Sequence, residues 1–113
     1  MKPSNLMSPP KQPPKRSKYK NVRVRIDGIN FDSGKEGRYY LKLRAMQEAG
    51  MVLYWHRQVI FDLAEKATYR CDFQVFYPDG SVRYIDVKGF KTKEYILKKK
   101  LVRRLYGVDI EEA

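Results

Sequence analysis

Hydrophobic and polar positions alternate where the patterned part of the chain begins. Apolar and basic residues alternate over residues 22–26, and the alternation resumes over residues 29–31 after the dipeptide Asp27-Gly28. A period of two is typical of a half-buried strand, and Asp-Gly is a frequent hairpin turn. The pattern therefore predicts a short β-hairpin.

The following segment changes to helical spacing. Ser33 is suited to begin a helix, Gly50 is suited to end it, and Glu36 shares the apolar stripe between them. The apolar members of that stripe are Tyr39, Leu43 and Met46. We therefore expect a helix from residue 33 to about residue 49 that carries one carboxylate on its inner side.

Strand-forming residues dominate the centre of the chain. Residues 52–55 and 58–63 form either one bent strand or two. Residues 69–77 and 81–88 form a clearer pair, joined by the turn sequence Pro78-Asp79-Gly80.

A second helix is predicted between Thr92, a suitable N-cap, and Gly107, a suitable terminator. Its inward-facing residues are predicted to be Leu97, Leu101 and Leu105. Residues 108–110 then form a final strand, and the intervening helix favours a parallel β-α-β crossover. The elements together predict an α/β fold with an α-β-β-β-α-β core: a small mixed sheet flanked by two helices, plus the hairpin.

The net charge of the chain indicates which kinds of partner to expect. The chain carries 24 Lys and Arg against 13 Asp and Glu, a net charge of +11, which favours a polyanion or an anionic membrane surface. One cysteine and one histidine exclude a zinc finger and an internal disulfide. Since no apolar run approaches the roughly 20 residues of a membrane span, and no secretion signal opens the chain, we expect a soluble, cytoplasmic protein without a membrane partner.

Residues 1–20 differ in composition from the remainder. They contain five of the 6 prolines and six basic residues, with no acidic residue. This composition predicts a flexible basic arm preceding one domain that covers residues 21–113. The arm either contacts phosphates or is a plain solvated terminus, and both interpretations stay open.

The turn at Pro78-Asp79-Gly80 determines which side chains share a face of the strand pair. It suits a three-residue loop with its glycine left-handed, so Tyr77 pairs with Ser81. Counting back produces one apolar face and sets Asp72 opposite Asp86 on the other. A two-residue loop would instead mix apolar and polar side chains on both faces.

Two carboxylates side by side are unfavourable in a sheet unless a cation lies between them. Mg²⁺ or Mn²⁺ fits, because both bind carboxylate, carbonyl and water oxygens. Lys88 lies two residues beyond Asp86 on the same face, where its ammonium group can orient a water or offset charge during phosphodiester hydrolysis. Asp72, Asp86 and Lys88 are therefore candidates for a hydrolytic metal site.

These residues resemble a known nuclease motif. Asp72 followed by Asp86-Val-Lys88 is similar to the PD-(D/E)XK motif, with Glu36 in the place of that superfamily's additional acid. The predicted order of elements resembles the superfamily's restriction-endonuclease-like core. The chain departs from the motif in having Cys71 where the proline stands, and Asp86 is an accepted variant of the second acid.

A narrower resemblance covers roughly residues 19–111. The segments Phe31-Asp-Ser-Gly-Lys-Glu36, Asp72-Phe73 and Asp86-Val-Lys-Gly-Phe-Lys-Thr92 resemble a family of small phage-encoded proteins. That family is described only as a domain of unknown function and is grouped with resolvase-like nucleases.

The resemblance implies a Mg²⁺-dependent (or Mn²⁺-dependent) endonuclease that cuts branched, Holliday junction-like DNA or nicks duplex DNA, in the host cytoplasm if phage-encoded. It implies four catalytic residues: Glu36, Asp72, Asp86 and Lys88. The implied metal ligands are Asp72, Asp86, Glu36 and the carbonyl of Val87. A homodimer is also implied, since resolvase-like enzymes commonly act in pairs.

Each candidate also has a structural interpretation. Ser33 and Glu36 have the spacing of a capping box, in which the glutamate returns to the start of its helix. Asp72 and Asp86 can instead form ion pairs on a solvated sheet face. Their candidate partners are Arg70, Arg83 and Lys88. Gln58 is interpreted as a surface glutamine, with contact to metal, water or DNA as the alternative.

Basic residues on and before the second helix are predicted to contact DNA phosphates or, alternatively, to form an exposed helix face. They are Lys91, Lys93, Lys98, Lys99 and Arg103. Two further functions stay open beside the nuclease. One is a nucleic-acid-binding module without catalysis, and the other is an assembly partner of an acidic protein.

Overall fold

The computed structural model of the protein describes residues 22–87 and 90–113. The basic arm predicted for residues 1–20 and the predicted catalytic residue Lys88 lie outside the described residues. The chain divides into two compact units, the first ending at Gly34 and the second covering Lys35–Ala113.

The first unit contains the predicted hairpin. Strand β1 (Val24–Ile26) pairs with β2 (Ile29–Phe31) in antiparallel fashion. The turn residues Asp27 and Gly28 have φ values of 54° and 76°. Two successive positive φ angles are what a type I′ turn requires, and Asp-Gly tolerates them. The hairpin prediction is confirmed.

The second unit has the predicted α-β-β-β-α-β order. Its elements are α1 (Gly34–Glu48), β3 (Tyr54–Asp62), β4 (Thr68–Phe76), β5 (Val82–Asp86), α2 (Lys93–Tyr106) and β6 (Ile110–Glu112). The strands form one sheet in the order β3-β4-β5-β6, antiparallel except for the parallel pair β5 and β6. The mixed sheet, the α/β class and the parallel crossover are therefore confirmed, and the segments around residues 52–63 form one strand.

Helix α1 ends as its sequence predicts but buries a slightly different stripe. Gly50 has φ 79°, and the Met51 amide donates to the Met46 carbonyl at 2.8 Å, a bond that closes a Schellman-type end. The buried side consists of Glu36, Gly37, Tyr40 and Leu43. Tyr40 thus takes the buried position that the sequence assigned to Tyr39, because the stripe follows the 36, 40, 43 spacing.

Helix α2 has the predicted caps. The Thr92 hydroxyl oxygen accepts a hydrogen bond from the Tyr95 amide at 3.0 Å. At the other end Gly107 has φ 69°, and its amide donates to the Arg103 carbonyl at 2.8 Å. Such a cap satisfies backbone groups that the helix end leaves without partners. The two boundary residues were therefore predicted correctly.

The buried face of α2 was predicted correctly at Leu101, which packs partly buried against the core, and wrongly at Leu97 and Leu105. Leu97 and Leu105 are 58% and 51% exposed, whereas Tyr95 and Val102 are buried. Tyr95 and Val102 lie seven residues apart, two helical turns, and so they share the face that meets the sheet. Spacing alone could not choose between this stripe and the leucine stripe, because both have helical periodicity.

Buried side chains from α2, β4, β6 and the end of β3 form one core cluster. Its members are Phe61, Leu63, Tyr69, Cys71, Tyr95, Val102 and Ile110. Full burial of a large apolar side chain contributes about 1.5–3 kcal/mol. This cluster therefore attaches α2 to one part of the sheet.

The two helices contact different parts of β3 and β4. From α1, the Tyr40 ring lies 5.9 Å from Trp55 and the Tyr39 ring lies 5.2 Å from Phe73. Helix α2 contacts the other part, where the Tyr106 ring lies 5.2 Å from Phe61. Across the described residues, no helix has the length and apolarity needed to cross a membrane.

Candidate active site

The turn between β4 and β5 has the predicted geometry. The Tyr77 amide donates to the Ser81 carbonyl at 2.9 Å, and Gly80 is left-handed with φ 90°. Asp79 Oδ1 accepts the Ser81 hydroxyl at 2.6 Å and the Ser81 amide at 2.9 Å. These hydrogen bonds lower the pKa of Asp79. The three-residue loop is therefore confirmed.

The strand register that follows from this turn is also confirmed. Phe73 pairs with Ile85 and Val75 pairs with Arg83, so the same count sets Asp72 opposite Asp86. The two aspartates are 9% and 0% exposed. Their burial contradicts the alternative in which both belong to a solvated sheet face.

Asp72 and Asp86 each accept a hydrogen bond from a backbone amide of the other segment. Asp86 Oδ1 accepts the amide of Asp72 at 2.9 Å, and Asp72 Oδ2 accepts the amide of Val87 at 2.9 Å. Hydrogen bonds to a charged acceptor are short and strong, so this pair of bonds holds the two carboxylates in a defined relation. The structure therefore brings together three of the predicted residues, namely Asp72, Asp86 and Val87.

Glu36 of α1 is turned to strand β3. It is 4% exposed, and its Oε2 accepts a hydrogen bond from Gln58 Nε2 at 3.1 Å. The same oxygen lies 3.5 Å from a guanidinium nitrogen of Arg57. These contacts join α1 to β3, which a capping box alone would not do.

The three predicted acids lie on three elements, Glu36 on α1, Asp72 on β4 and Asp86 on β5. Within residues 22–87 and 90–113, no three Asp, Glu, His or Cys side chains form a group that could hold a metal ion. Asp72 and Asp86 lie together, and Glu36 lies with its partners on β3. The metal site with Asp72, Asp86 and Glu36 as its acidic ligands therefore stays a prediction.

Gln58 is not the ordinary surface glutamine that the sequence suggested. It lies in the middle of β3 with φ 57°, a left-handed conformation that costs a residue with a side chain roughly 1–3 kcal/mol. Its Oε1 is buried and has no hydrogen-bond partner among the described residues. The sequence signal that relates to this left-handed conformation is the open choice between one strand and two over residues 52–63.

A polar cavity reaches Asp72. It has a volume of about 240 Å³ and lies where β4 meets the start of α2. Its lining includes Asp72, Arg70 and Lys98, so cationic side chains share this space with one of the paired carboxylates. A polar molecule in this cavity can contact Asp72.

The carboxylate of Glu112 on β6 forms ion pairs with two of the predicted DNA-binding lysines. Its carboxylate lies 2.9 Å from Lys91 Nζ and 3.0 Å from Lys99 Nζ, and it accepts the Tyr95 hydroxyl at 2.9 Å. The hydrogen bonds from Lys91 and Lys99 lower the pKa of Glu112 to about 2. These lysines therefore connect β6 with α2 and the segment before it.

Two further predicted DNA contacts also pair with acids. Lys98 Nζ lies 3.2 Å from Glu94, and Arg103 pairs with Asp109, while Lys93 is exposed. Ion pairs at the surface contribute only about 0–1 kcal/mol, so a DNA phosphate can replace the acidic partner. Contact with DNA stays a prediction.

No curated protein matches the chain. Residues 16–111 match a family model described as "Protein of unknown function (DUF1064)". Because the match spans most of the chain, the protein belongs to this family.

Proposed function

We propose that the protein is a Mg²⁺-dependent endodeoxyribonuclease of the PD-(D/E)XK type that hydrolyses phosphodiester bonds in DNA. The observation that carries the proposal is the pair of buried carboxylates, Asp72 and Asp86, on adjacent strands. They are cross-bonded through backbone amides, and Asp72 lines a polar cavity together with Arg70, Lys98 and Glu94.

The chemistry of this pair fits a hard divalent cation. Two buried carboxylates repel each other, and a cation offsets that repulsion. Mg²⁺ takes one or two carboxylates and keeps several waters, so Asp72, Asp86 and the carbonyl of Val87 form a suitable donor set. A bound Mg²⁺ would polarise a phosphoryl oxygen and lower the pKa of a water molecule.

The surrounding residues suit a phosphodiester substrate. Arg70 and Lys98 line the cavity beside Asp72, where their charges attract a DNA phosphate. In the proposed reaction, Lys88 orients the attacking water or offsets charge on the phosphoryl group. The net charge of +11 draws the polyanion to the protein from a distance.

Cleavage assays test the proposal. Supercoiled plasmid, linear duplex and a four-way junction are incubated with the protein in Mg²⁺, in Mn²⁺ and in EDTA. We expect metal-dependent cutting that Asp86→Asn abolishes and that Asp62→Asn, at an exposed carboxylate on β3, leaves unchanged. Preference for the junction or for single nicks in the plasmid identifies the substrate class. Intact substrates throughout, or full activity of Asp86→Asn, would refute the nuclease.

The charge supports a second candidate function, a nucleic-acid-binding module without catalysis. That module binds DNA equally well in Mg²⁺ and in EDTA and leaves every substrate intact. The same assays, read together with a binding titration, distinguish it from the nuclease.

A further inference from the structure

We propose that Gln58 is a further residue of this site: its amide oxygen accepts a hydrogen bond from a water molecule beside the carboxylates of Asp72 and Asp86. In this arrangement Glu36 is a positioning residue that acts through Gln58 and not a metal ligand. The proposal rests on the proposed function, since the water concerned is the one used in hydrolysis.

The backbone at Gln58 has an unusual conformation. Its φ of 57° lies in the left-handed region, although it occupies the centre of a nine-residue strand. Glycine adopts this conformation freely, whereas glutamine is strained there. Strain of this kind persists where the surrounding structure enforces it and is frequent at functional sites.

Gln58 lies between two paired positions of the sheet. The flanking pairs, Arg57 with Phe73 and Val59 with Cys71, keep one continuous register. By that count Gln58 stands at the position opposite Asp72, where the ladder pairing is interrupted. The distortion is therefore located at the position opposite a carboxylate of the proposed site.

The side-chain amide of Gln58 has a defined orientation. Gln58 Nε2 donates to Glu36 Oε2 at 3.1 Å. An ionised carboxylate only accepts hydrogen bonds, so the nitrogen of Gln58 must face Glu36 and the oxygen must face away. Gln58 Oε1 is buried with no acceptor or donor partner in the described part of the chain. A buried acceptor in this state is suited to an ordered water.

This arrangement accounts for the position of Glu36. The carboxylate of Glu36 accepts the amide of Gln58 and lies beside Arg57. Among the described residues, no three acids form a group that could hold a metal ion. The amide oxygen orients the water and does not take its proton, because an amide is not a base at neutral pH.

Substitutions at Gln58 test the role of the amide oxygen. Gln58→Met preserves length and removes the acceptor, and Gln58→Gly suits the left-handed backbone. We expect both to lower kcat by about 10- to 100-fold, the range typical of residues that orient a metal site's ligands, with KM for DNA unchanged. A purely structural role predicts the reverse for Gln58→Gly, which would then be stable and fully active; that result would overturn the proposal.

Substitutions at Glu36 test the positioning role. Glu36→Gln retains an oxygen that accepts from Gln58, so we expect it to rescue kcat relative to Glu36→Leu. The double variant Glu36→Leu with Gln58→Met should lose no more kcat than either single variant, because both substitutions remove the same orientation of the water molecule. Glu48→Gln, on the exposed part of α1, is the matched control. If Glu36→Gln weakens Mn²⁺ binding as much as Asp86→Asn does, Glu36 is a metal ligand and the inference is wrong.

A measurement independent of cleavage separates this inference from the proposed function. Mn²⁺ binding and the water-proton relaxation of bound Mn²⁺ are measured for the parent and for Gln58→Met. A changed relaxation at similar Mn²⁺ affinity supports the role of Gln58, even if the parent cuts no DNA and the nuclease proposal fails. If Gln58→Met leaves the relaxation unchanged while the parent cuts DNA, the role of Gln58 is refuted and the proposed function stands. If the parent binds no Mn²⁺, both the role of Gln58 and the proposed function are refuted.

Discussion

At the scale of single residues, burial separates side chains that the sequence treats alike. Val102 is fully buried in the cluster that attaches α2 to the sheet, whereas Leu97 of the same helix is 58% exposed. Both are aliphatic and both lie on stripes with helical spacing. Only the packing of the helix against the sheet distinguishes them.

Alanine substitutions at these two positions should therefore differ in effect. Val102→Ala removes two buried methyl groups and leaves a cavity, so we expect the free energy of unfolding to fall by about 1–3 kcal/mol. Leu97→Ala removes exposed atoms and should change it by less than about 0.5 kcal/mol. Urea unfolding followed by circular dichroism measures both. Equal losses at the two positions would contradict the packing described for α2.

At the scale of elements, β6 is joined to α2 by a small set of charged groups. Lys91, Lys99 and Tyr95 all contact the carboxylate of Glu112, which is the strand's partner for Asp86 in the parallel ladder. These contacts favour the ionised form of Glu112 and lower its pKa from 4.5 to about 2. The connection of β6 to α2 is therefore sensitive to acid.

The sign of this sensitivity follows from the lowered pKa. Because the folded protein holds Glu112 ionised more strongly than the unfolded chain does, the stabilisation is complete above pH 4.5 and is lost as the pH falls to about 2. We expect Glu112→Gln to lower stability at neutral pH and to flatten the pH dependence between these values. Urea unfolding at several pH values measures this, with Glu65→Gln as an exposed control. An unchanged acid profile for Glu112→Gln would be inconsistent with the contacts.

The elements also show what a sequence can predict here. The Pro78-Asp79-Gly80 turn determined the register and hence the adjacency of Asp72 and Asp86, because turn chemistry is local. Thr92 and Gly107 bounded α2 for the same reason. The left-handed Gln58 could not be predicted, since its conformation accompanies a contact with Glu36, 22 residues away.

At the scale of the whole molecule, the charge of +11 is the property that the proposed function would use to attract DNA. Each phosphate neutralised by a basic side chain releases counterions, so affinity falls as salt rises. Lys98 borders the cavity at Asp72, whereas Lys42 belongs to α1 and lies 5.7 Å from the Tyr39 ring. Only the first is placed to contact a phosphate near the proposed site.

Binding of a short duplex in EDTA, measured by fluorescence anisotropy over a range of NaCl concentrations, tests this placement. We expect the logarithm of the affinity to fall linearly with the logarithm of salt concentration. Lys98→Ala should lower the magnitude of that slope by about 1, and Lys42→Ala should leave it unchanged. Equal slopes for the parent and Lys98→Ala would exclude Lys98 from the DNA contact.

The parallel pairing of β5 with β6 has a consequence for how the protein is made. Asp86 meets β4 across a hairpin, but its carbonyl also accepts the amide of Ala113, which leaves the ribosome only after α2 has been synthesised. Pairings between distant segments form slowly, because the intervening chain must first be closed into a loop. We therefore expect the pairing of Asp86 with β6, and with it the proposed metal site, to be completed only after the β6 segment has been translated.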